Sequence, residues 1–265
     1  MLVIMTHRVL THVNLWVVGD AGLSYCIAWA FGTVYVRRTL LSIRSHGLRR
    51  TVAIIKLRIA SILEPFLPRT IWGENIGLRS AKISLTDAEV EQVYRWSRDE
   101  DLIRWTASPP TELTLAEFRD HLRRERWRPR SDQQHFFIVT RAGELAGKIS
   151  LYAIDYTTGD AELGIFLDKK YWSRYYGREA IRLLEWYAFS EAPIDRILLG
   201  TFKENVRAQR SFAACGFRVV GSAGRLNPVS GEYMEGVKME ITRNDYLWQH
   251  SPDQVFPHNT TRSDD

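Results

Sequence analysis

Cysteine is scarce in this chain: Cys26 and Cys215 are the only two in 265 residues, and they lie far apart. That excludes a disulfide-stapled fold, and no cluster of cysteine and histidine with the spacing of a metal site is present. No metal and a reducing compartment are therefore expected. There is no internal repeat, which argues against solenoid and propeller architectures. Charge of one sign is also modest, at +5 overall, and residues 1–80 alone carry more than that excess, with ten Lys/Arg against three Asp/Glu. The remainder is close to neutral, so no DNA partner is expected. With 45% hydrophobic and 25% charged residues, the chain has the composition of a globular protein, long enough for one ordinary domain plus an extension.

Residues 161–217 carry most of the information. Leu163, Ile165 and Leu167 alternate with Glu162, Gly164 and Phe166, the period-two pattern of a strand whose faces see different surroundings. After Asp168 the chain turns, and from about Gly177 the residues Ala180, Leu183, Leu184 and Tyr187 recur at helical spacing. A strand that feeds a helix through exposed backbone offers unpaired N–H groups and about half a positive charge to an anion. Arg174 and Arg178 flank that loop. A second unit follows, with an apolar strand at Arg196–Phe202 and Asn205 placed to cap the next helix. Ala208, Phe212 and Cys215 share a face of that helix, and Gly216 is placed to end it in the left-handed conformation.

On these residues the chain resembles the GNAT acetyltransferases. AELGIFLDKKYWSRYYGREAIRLLEWYAF followed by NVRAQRSFAACGF is similar to their coenzyme A binding core, in particular that of the subgroup similar to ribosomal-protein N-acetyltransferases. With the flanking strands the resemblance covers roughly residues 76–246. It implies a mixed α/β fold, the GNAT-like acyl-CoA N-acyltransferase fold, and acetyl-CoA as acyl donor. It further implies that the strand at 163–167 splays from its neighbour and pairs through the backbone of Ile165, Phe166 and Leu167 with the pantetheine arm. The loop of Ser173, Arg174, Tyr175, Tyr176, Gly177 and Arg178 is then expected to wrap the pyrophosphate, with Asn205 and Phe212 contributing from the second unit.

Tyr175 and Phe212 depart from the family pattern. In the motif (Gln/Arg)-x-x-Gly-x-(Gly/Ala), laid on residues 172–177, Tyr175 replaces the central glycine, and tyrosine lacks glycine's freedom for positive φ and close approach to phosphate. Many members place a tyrosine on the helix of the second unit to protonate the departing thiolate; here Phe212 stands in that place and cannot donate a proton. A water, the adjacent Ser211 or another tyrosine is left for that role. Glu162 shares a strand face with Gly164 and Phe166, where its carboxylate can deprotonate an amine through water, or serve only as a partly solvated strand residue.

The flanks agree with such a domain. Residues 77–85 read as a strand, and Thr86 with Glu89 and Thr114 with Glu117 form capping boxes before two helices, separated by the break at Ser108, Pro109 and Pro110. In similar proteins these helices cover the acceptor site. Arg123, Arg124, Arg126, Arg128 and Arg130 end the second helix, where cations are favourable as a solvated face. Residues 135–140 and 144–155 read as a hairpin turning at Ala142 and Gly143, with His135 as a surface histidine. Strands at 217–222 and 233–241 follow, and the polar tail 250–265 is expected to be disordered.

The N-terminal extension, residues 1–70, is unlike the family. Residues 15–36 form a 22-residue run whose only charge is Asp20, close to the length that spans a bilayer, and Arg37 and Arg38 close it. More basic residues follow it than precede it, which would leave the C-terminal side in the cytoplasm. Val52, Ile55, Ile59, Ile62 and Phe66 then recur at the spacing of an interfacial helix. Three readings stay open: membrane association through residues 15–66, an appended segment with no part in the chemistry, and a start placed too far upstream. A secretory signal is disfavoured, because no small-residue cleavage site stands out.

The sequence thus predicts a GNAT-like domain at 71–249, cytoplasmic or attached to the inner face of the membrane. Its expected activity is transfer of an acetyl group to a primary amine: a protein N-terminus, a polyamine or another small-molecule amine. The rival readings are a non-catalytic module of the same fold that binds CoA or a protein partner, and a membrane-tethered adaptor.

Overall fold

Alternation of apolar residues at period two becomes eight strands, and the capping residues become helix starts. A computed structural model describes residues 70–127, 132–227 and 231–250. The apolar run at 15–36, the amphipathic stretch at 52–66, Arg128, Arg130 and the tail beyond His250 lie outside the described residues. The strands are β1 (Thr70–Trp72), β2 (Ile76–Ser80), β3 (Gln134–Thr140), β4 (Leu145–Asp155), β5 (Asp160–Leu167), β6 (Arg196–Phe202), β7 (Arg218–Leu226) and β8 (Tyr233–Thr242). The helices are α1 (Asp87–Trp96), α2 (Glu100–Thr106), α3 (Leu115–Trp127), α4 (Tyr176–Trp186), α5 (Val206–Ala213) and α6 (Arg243–Gln249). One mixed sheet runs β1-β2-β3-β4-β5-β6-β8-β7.

Both capping boxes form: Thr86 accepts from the Glu89 amide while Glu89 reaches back to the Thr86 amide, and Thr114 and Glu117 do the same. Glu89 also binds Arg79 at 2.7 Å, which ties α1 to β2. Gly216 ends α5 at φ +95°, and a Cβ there would lie 2.1 Å from the Gln249 side chain, so α6 closes over it. The strand expected at 77–85 is shorter, ending at Ser80, and β1 precedes it. Two short helices were not legible in the pattern: α2, whose seven residues begin at the Asp99 cap, and α6, capped by Thr242.

The sheet separates two apolar layers. On one face Ile149, Leu151, Leu163, Ile197 and Leu199 pack with Ala180, Ile181 and Leu184 of α4 in the main core. Each of the leucine and isoleucine side chains contributes roughly 1.5–3 kcal/mol by leaving water. On the other face Trp96 of α1 and Leu102 of α2 cluster with Phe137, Val139 and Leu145, and Phe166 packs against them. The alternation of β5 thus sends Leu163, Ile165 and Leu167 toward the core and Glu162, Gly164 and Phe166 toward α1 and α2.

Candidate active site

β5 and β6 are the parallel pair of the sheet, and they stay paired for only three rungs: Asp160 with Arg196, Ala161 with Ile197 and Glu162 with Leu198. Beyond that point β5 remains bonded to β4 as far as Leu167, and β6 remains bonded to β8 as far as Phe202. The sheet therefore forks, and the backbone of residues 163–167 faces a slot in place of a strand. Ile165, Phe166 and Leu167 belong to this stretch, with the Phe166 carbonyl turned toward Gly147 of β4. Glu162 stands at the crotch. It is half-buried, and its carboxylate makes no hydrogen bond or ion pair with the described residues.

The open end of the fork meets the N-terminus of α4. No side chain caps this helix, so its first amides are free for an anion. The loop before it is bent by two left-handed residues, Ser173 at φ +60° and Tyr175 at φ +63°. This corrects the expectation drawn from the tyrosine: Tyr175 adopts the glycine-like conformation and its ring stays in solvent, 73% exposed. Holding a non-glycine residue there costs roughly 1–2 kcal/mol, a local strain of the kind found at ligand loops. Gly177 lies against β5, with its Cβ position 3.3 Å from Leu167. Trp172 anchors the loop by donating its indole N–H to the Leu167 carbonyl at 2.9 Å.

Three guanidinium groups surround this helix end. Arg174 lies over the Tyr171 ring, and Arg178 lies over the Tyr175 ring at 5.3 Å. Arg207 of α5 stacks on Trp172 at 3.6 Å. Partial burial lowers the pKa of Arg207 from the ordinary arginine value without discharging it. Among the described residues none of the three has a carboxylate partner within ion-pair distance, so the loop is a cationic site in want of an anion. Arg207 is absent from the sequence-derived set, because only the tertiary stacking on Trp172 brings it to the loop.

Asn205 caps α5 by accepting from the Ala208 amide at 3.2 Å, which commits its Oδ1 and leaves its Nδ2 as a donor. Phe212 is buried, in edge contact with Phe217 at 5.8 Å, and belongs to the main core. Ser211 donates its hydroxyl to the Arg207 carbonyl one turn back. On the face toward α1 and α2, Gly164 leaves room for the Tyr152 ring, 3.1 Å from where a Cβ would stand. His135 is not a free surface histidine: its Nδ1 lies 2.7 Å from the Oγ of the buried Ser150, beside Gly164 in the same row of the sheet. Helix α2 packs against both β5 and β6 and so lies across the fork on this face, with Trp105 6.4 Å from Phe202. No group of metal-ligating side chains occurs among the described residues, and no helix among them is long and apolar enough to cross a membrane.

This geometry agrees with comparisons to known proteins. A profile described as an acetyltransferase (GNAT) domain matches residues 82–218, just over half of the chain. The spermidine N(1)-acetyltransferase of Escherichia coli K12 is 28% identical over 121 residues, which cover 45% of this chain and 65% of that protein. The alignment thus spans a little under two thirds of that relative. The uncharacterized N-acetyltransferase p20 of Bacillus licheniformis is 25% identical over 179 residues, covering 67% of this chain and 98% of its own length. The fold is similar to that of the spermidine N-acetyltransferase of Vibrio cholerae, solved with CoA and spermine. There the TM-score is 0.57 at 20% identity, over 65% of this chain and 98% of that one. A forked β5–β6 pair, an uncapped helix at its open end and the profile match lead to one conclusion: this chain belongs to the GNAT acetyltransferase family.

Proposed function

We propose that the chain is an acetyl-CoA-dependent N-acetyltransferase that moves an acetyl group to a primary amine by direct attack on the thioester. The observation that carries this reading is the fork at Glu162 and Leu198, which opens one strand's backbone to an extended ligand and ends at a cationic helix N-terminus. The donor fits these features. Backbone groups at Ile165, Phe166 and Leu167 hold the pantetheine arm, and the loop of Ser173, Arg174, Tyr175, Tyr176, Gly177 and Arg178 holds the pyrophosphate. Asn205 and Phe212 border the slot from α5, the first through its free Nδ2 and the second by packing.

The chemistry asks mainly for positioning, because two reactants held in register gain a large effective molarity. Glu162 accepts, through a water, the proton that the acceptor ammonium must lose before its nitrogen can attack. The N–C bond then forms as the C–S bond breaks, and the amine's second proton leaves to solvent. Sulfur departs as a thiolate, and a strand amide steadies the carbonyl oxygen meanwhile. An ordinary thiol pKa near 8.5 means that this leaving group needs little help at neutral pH, in keeping with Phe212 in place of an acid. Acceptors suggested by the resemblance and by the relatives are a protein N-terminus, as for ribosomal-protein N-acetyltransferases, and a polyamine.

Calorimetry of the full chain with acetyl-CoA, together with release of free CoA thiol against a panel of amines, tests the proposal. Heat with acetyl-CoA and thiol release that depends on amine are expected. Tyr175 and Phe212, which stand where the family pattern has glycine and tyrosine, motivate a second reading, a binding module without turnover; heat without release for any amine would support it. No heat at millimolar donor would remove both.

We further propose that residues 71–249 form the transferase domain and that residues 1–70 are an extension which associates with the inner face of the membrane through residues 15–66. The support is the apolar run closed by Arg37 and Arg38. Recovery of the full chain wholly in the supernatant after cell fractionation would overturn it.

A further inference from the structure

We propose that the acceptor carries an anionic group, in the simplest case a carboxylate on the same molecule as the amine, and that Lys148 receives it. This rests on the transferase reading and narrows its substrate class.

Cross-strand registers place Lys148 in a row with Arg79, Phe137 and Phe166, since Arg79 faces Phe137, Phe137 faces Lys148 and Lys148 faces Phe166. Residues directly opposite in a sheet share a face, so this row lies with Trp96 and Leu102 beneath α1 and α2. The opposite face is filled by the core against α4. An acceptor therefore reaches the fork from the side on which Lys148 stands.

Arg79 is bound to Glu89 at 2.7 Å, and Glu162 lies two rows farther along, opposite Tyr152. Lys148 is half-buried between two aromatic neighbours and makes no hydrogen bond or ion pair with the described residues. Burial lowers its pKa, and no carboxylate acts against that burial. A half-buried ammonium without a partner is costly, and an anion supplied by a ligand removes the cost. The donor's phosphates do not fill this role, because their helix end abuts Leu167 on the other face.

Distance sets the kind of molecule. Gly164, beside which the thioester carbon would lie, faces Ser150, one row from Lys148. At 3.3–3.4 Å per residue a row is roughly 7 Å along the strand, so an amine and a carboxylate separated by several bonds fit both ends. A polyamine, which carries only positive charge, is repelled by the same lysine. This acceptor preference would set the chain apart from relatives named for spermidine.

The test compares matched amines on the full chain: 6-aminohexanoate with hexylamine, and a peptide with Asp in second position with its Asn counterpart. The first pair probes a free aminocarboxylate and the second a peptide N-terminus. We expect kcat/KM to favour the acidic member of at least one pair by about tenfold or more, as a desolvated charge pair gives. Lys148→Met should abolish that preference while leaving the neutral amine within about threefold, and Lys148→Arg should restore most of it. Equal rates for both members, faster spermidine, or a folded Lys148→Met variant that slows acidic and neutral amines alike would overturn the inference. Binding separates it from the transferase reading. Heat from 6-aminohexanoate on the CoA-saturated protein that disappears in Lys148→Met supports the site even if turnover is absent. Turnover of alkylamines with no such heat and no acidic preference refutes the site and leaves the transferase intact.

Discussion

Glu162 and Leu198 face each other across the last rung that joins β5 to β6. A single residue thus holds the sheet together on one side and borders an open slot on the other. Its neighbours fix its direction: Leu163 is buried in the core, so Glu162 leaves the sheet toward α1 and α2, on the face of Gly164.

From that position follows the first prediction. Glu162→Gln keeps the size and the rung but cannot take a proton, so turnover at neutral pH should fall by about a hundredfold, with acetyl-CoA affinity unchanged by calorimetry. Full activity in the variant would move the base elsewhere.

The second concerns Tyr175, held at φ +63° with its ring in solvent. Tyr175→Gly removes a side chain that makes little contact and relieves the left-handed strain, so stability should rise by about 0.5–1 kcal/mol in urea titration. The dissociation constant for acetyl-CoA should also fall, because bare backbone approaches phosphate more closely. A destabilised variant with unaltered affinity would count against the loop as the phosphate site.

Much of this was legible in the sequence because the signals are local. Strand β6 falls at Arg196–Phe202 as its apolar run predicts, and Thr86, Thr114, Asn205 and Gly216 each act where capping chemistry places them. What was not legible depends on contacts between distant elements or on short segments. Helix α2 is seven residues long, too short for a periodic pattern, yet it lies across the fork. Arg207 gains its place from Trp172, and His135 from Ser150, pairs that no spacing reveals. No sequence pattern singles out Lys148; its place depends on the cross-strand registers that set it opposite Phe137 and Phe166, two residues of the layer beneath α1 and α2.

The third prediction is for Arg207, whose guanidinium stacks on Trp172 with no carboxylate among the described residues to neutralise it. Arg207→Gln should weaken acetyl-CoA about tenfold and flatten the dependence of that affinity on salt, since one charge-assisted contact to phosphate is lost. The same variant should leave the KM of a neutral amine unchanged. A KM effect confined to the amine would place Arg207 on the acceptor side.

The last prediction concerns pH and a carboxyl outside the site. Glu185 of α4 is 1% exposed, and its Oε1 has no hydrogen-bond partner. Burial pushes its pKa up to about 8, against a weaker opposing pull from Arg182. An acid whose folded pKa exceeds its unfolded one keeps its proton longer when folded. Below the unfolded value of 4.5 it is neutral in both states and costs nothing by ionisation. Between there and about 8 the unfolded chain gives up the proton first, so stability falls as pH rises, by about 1.4 kcal/mol per unit. Above that window the loss levels off. Glu185→Gln has no proton to lose. The difference in unfolding free energy between variant and parent should therefore grow in the variant's favour from pH 5 to pH 8, and isothermal urea unfolding at the two pH values measures it. A difference that stays constant across that range would mean that Glu185 ionises as readily inside the fold as outside it.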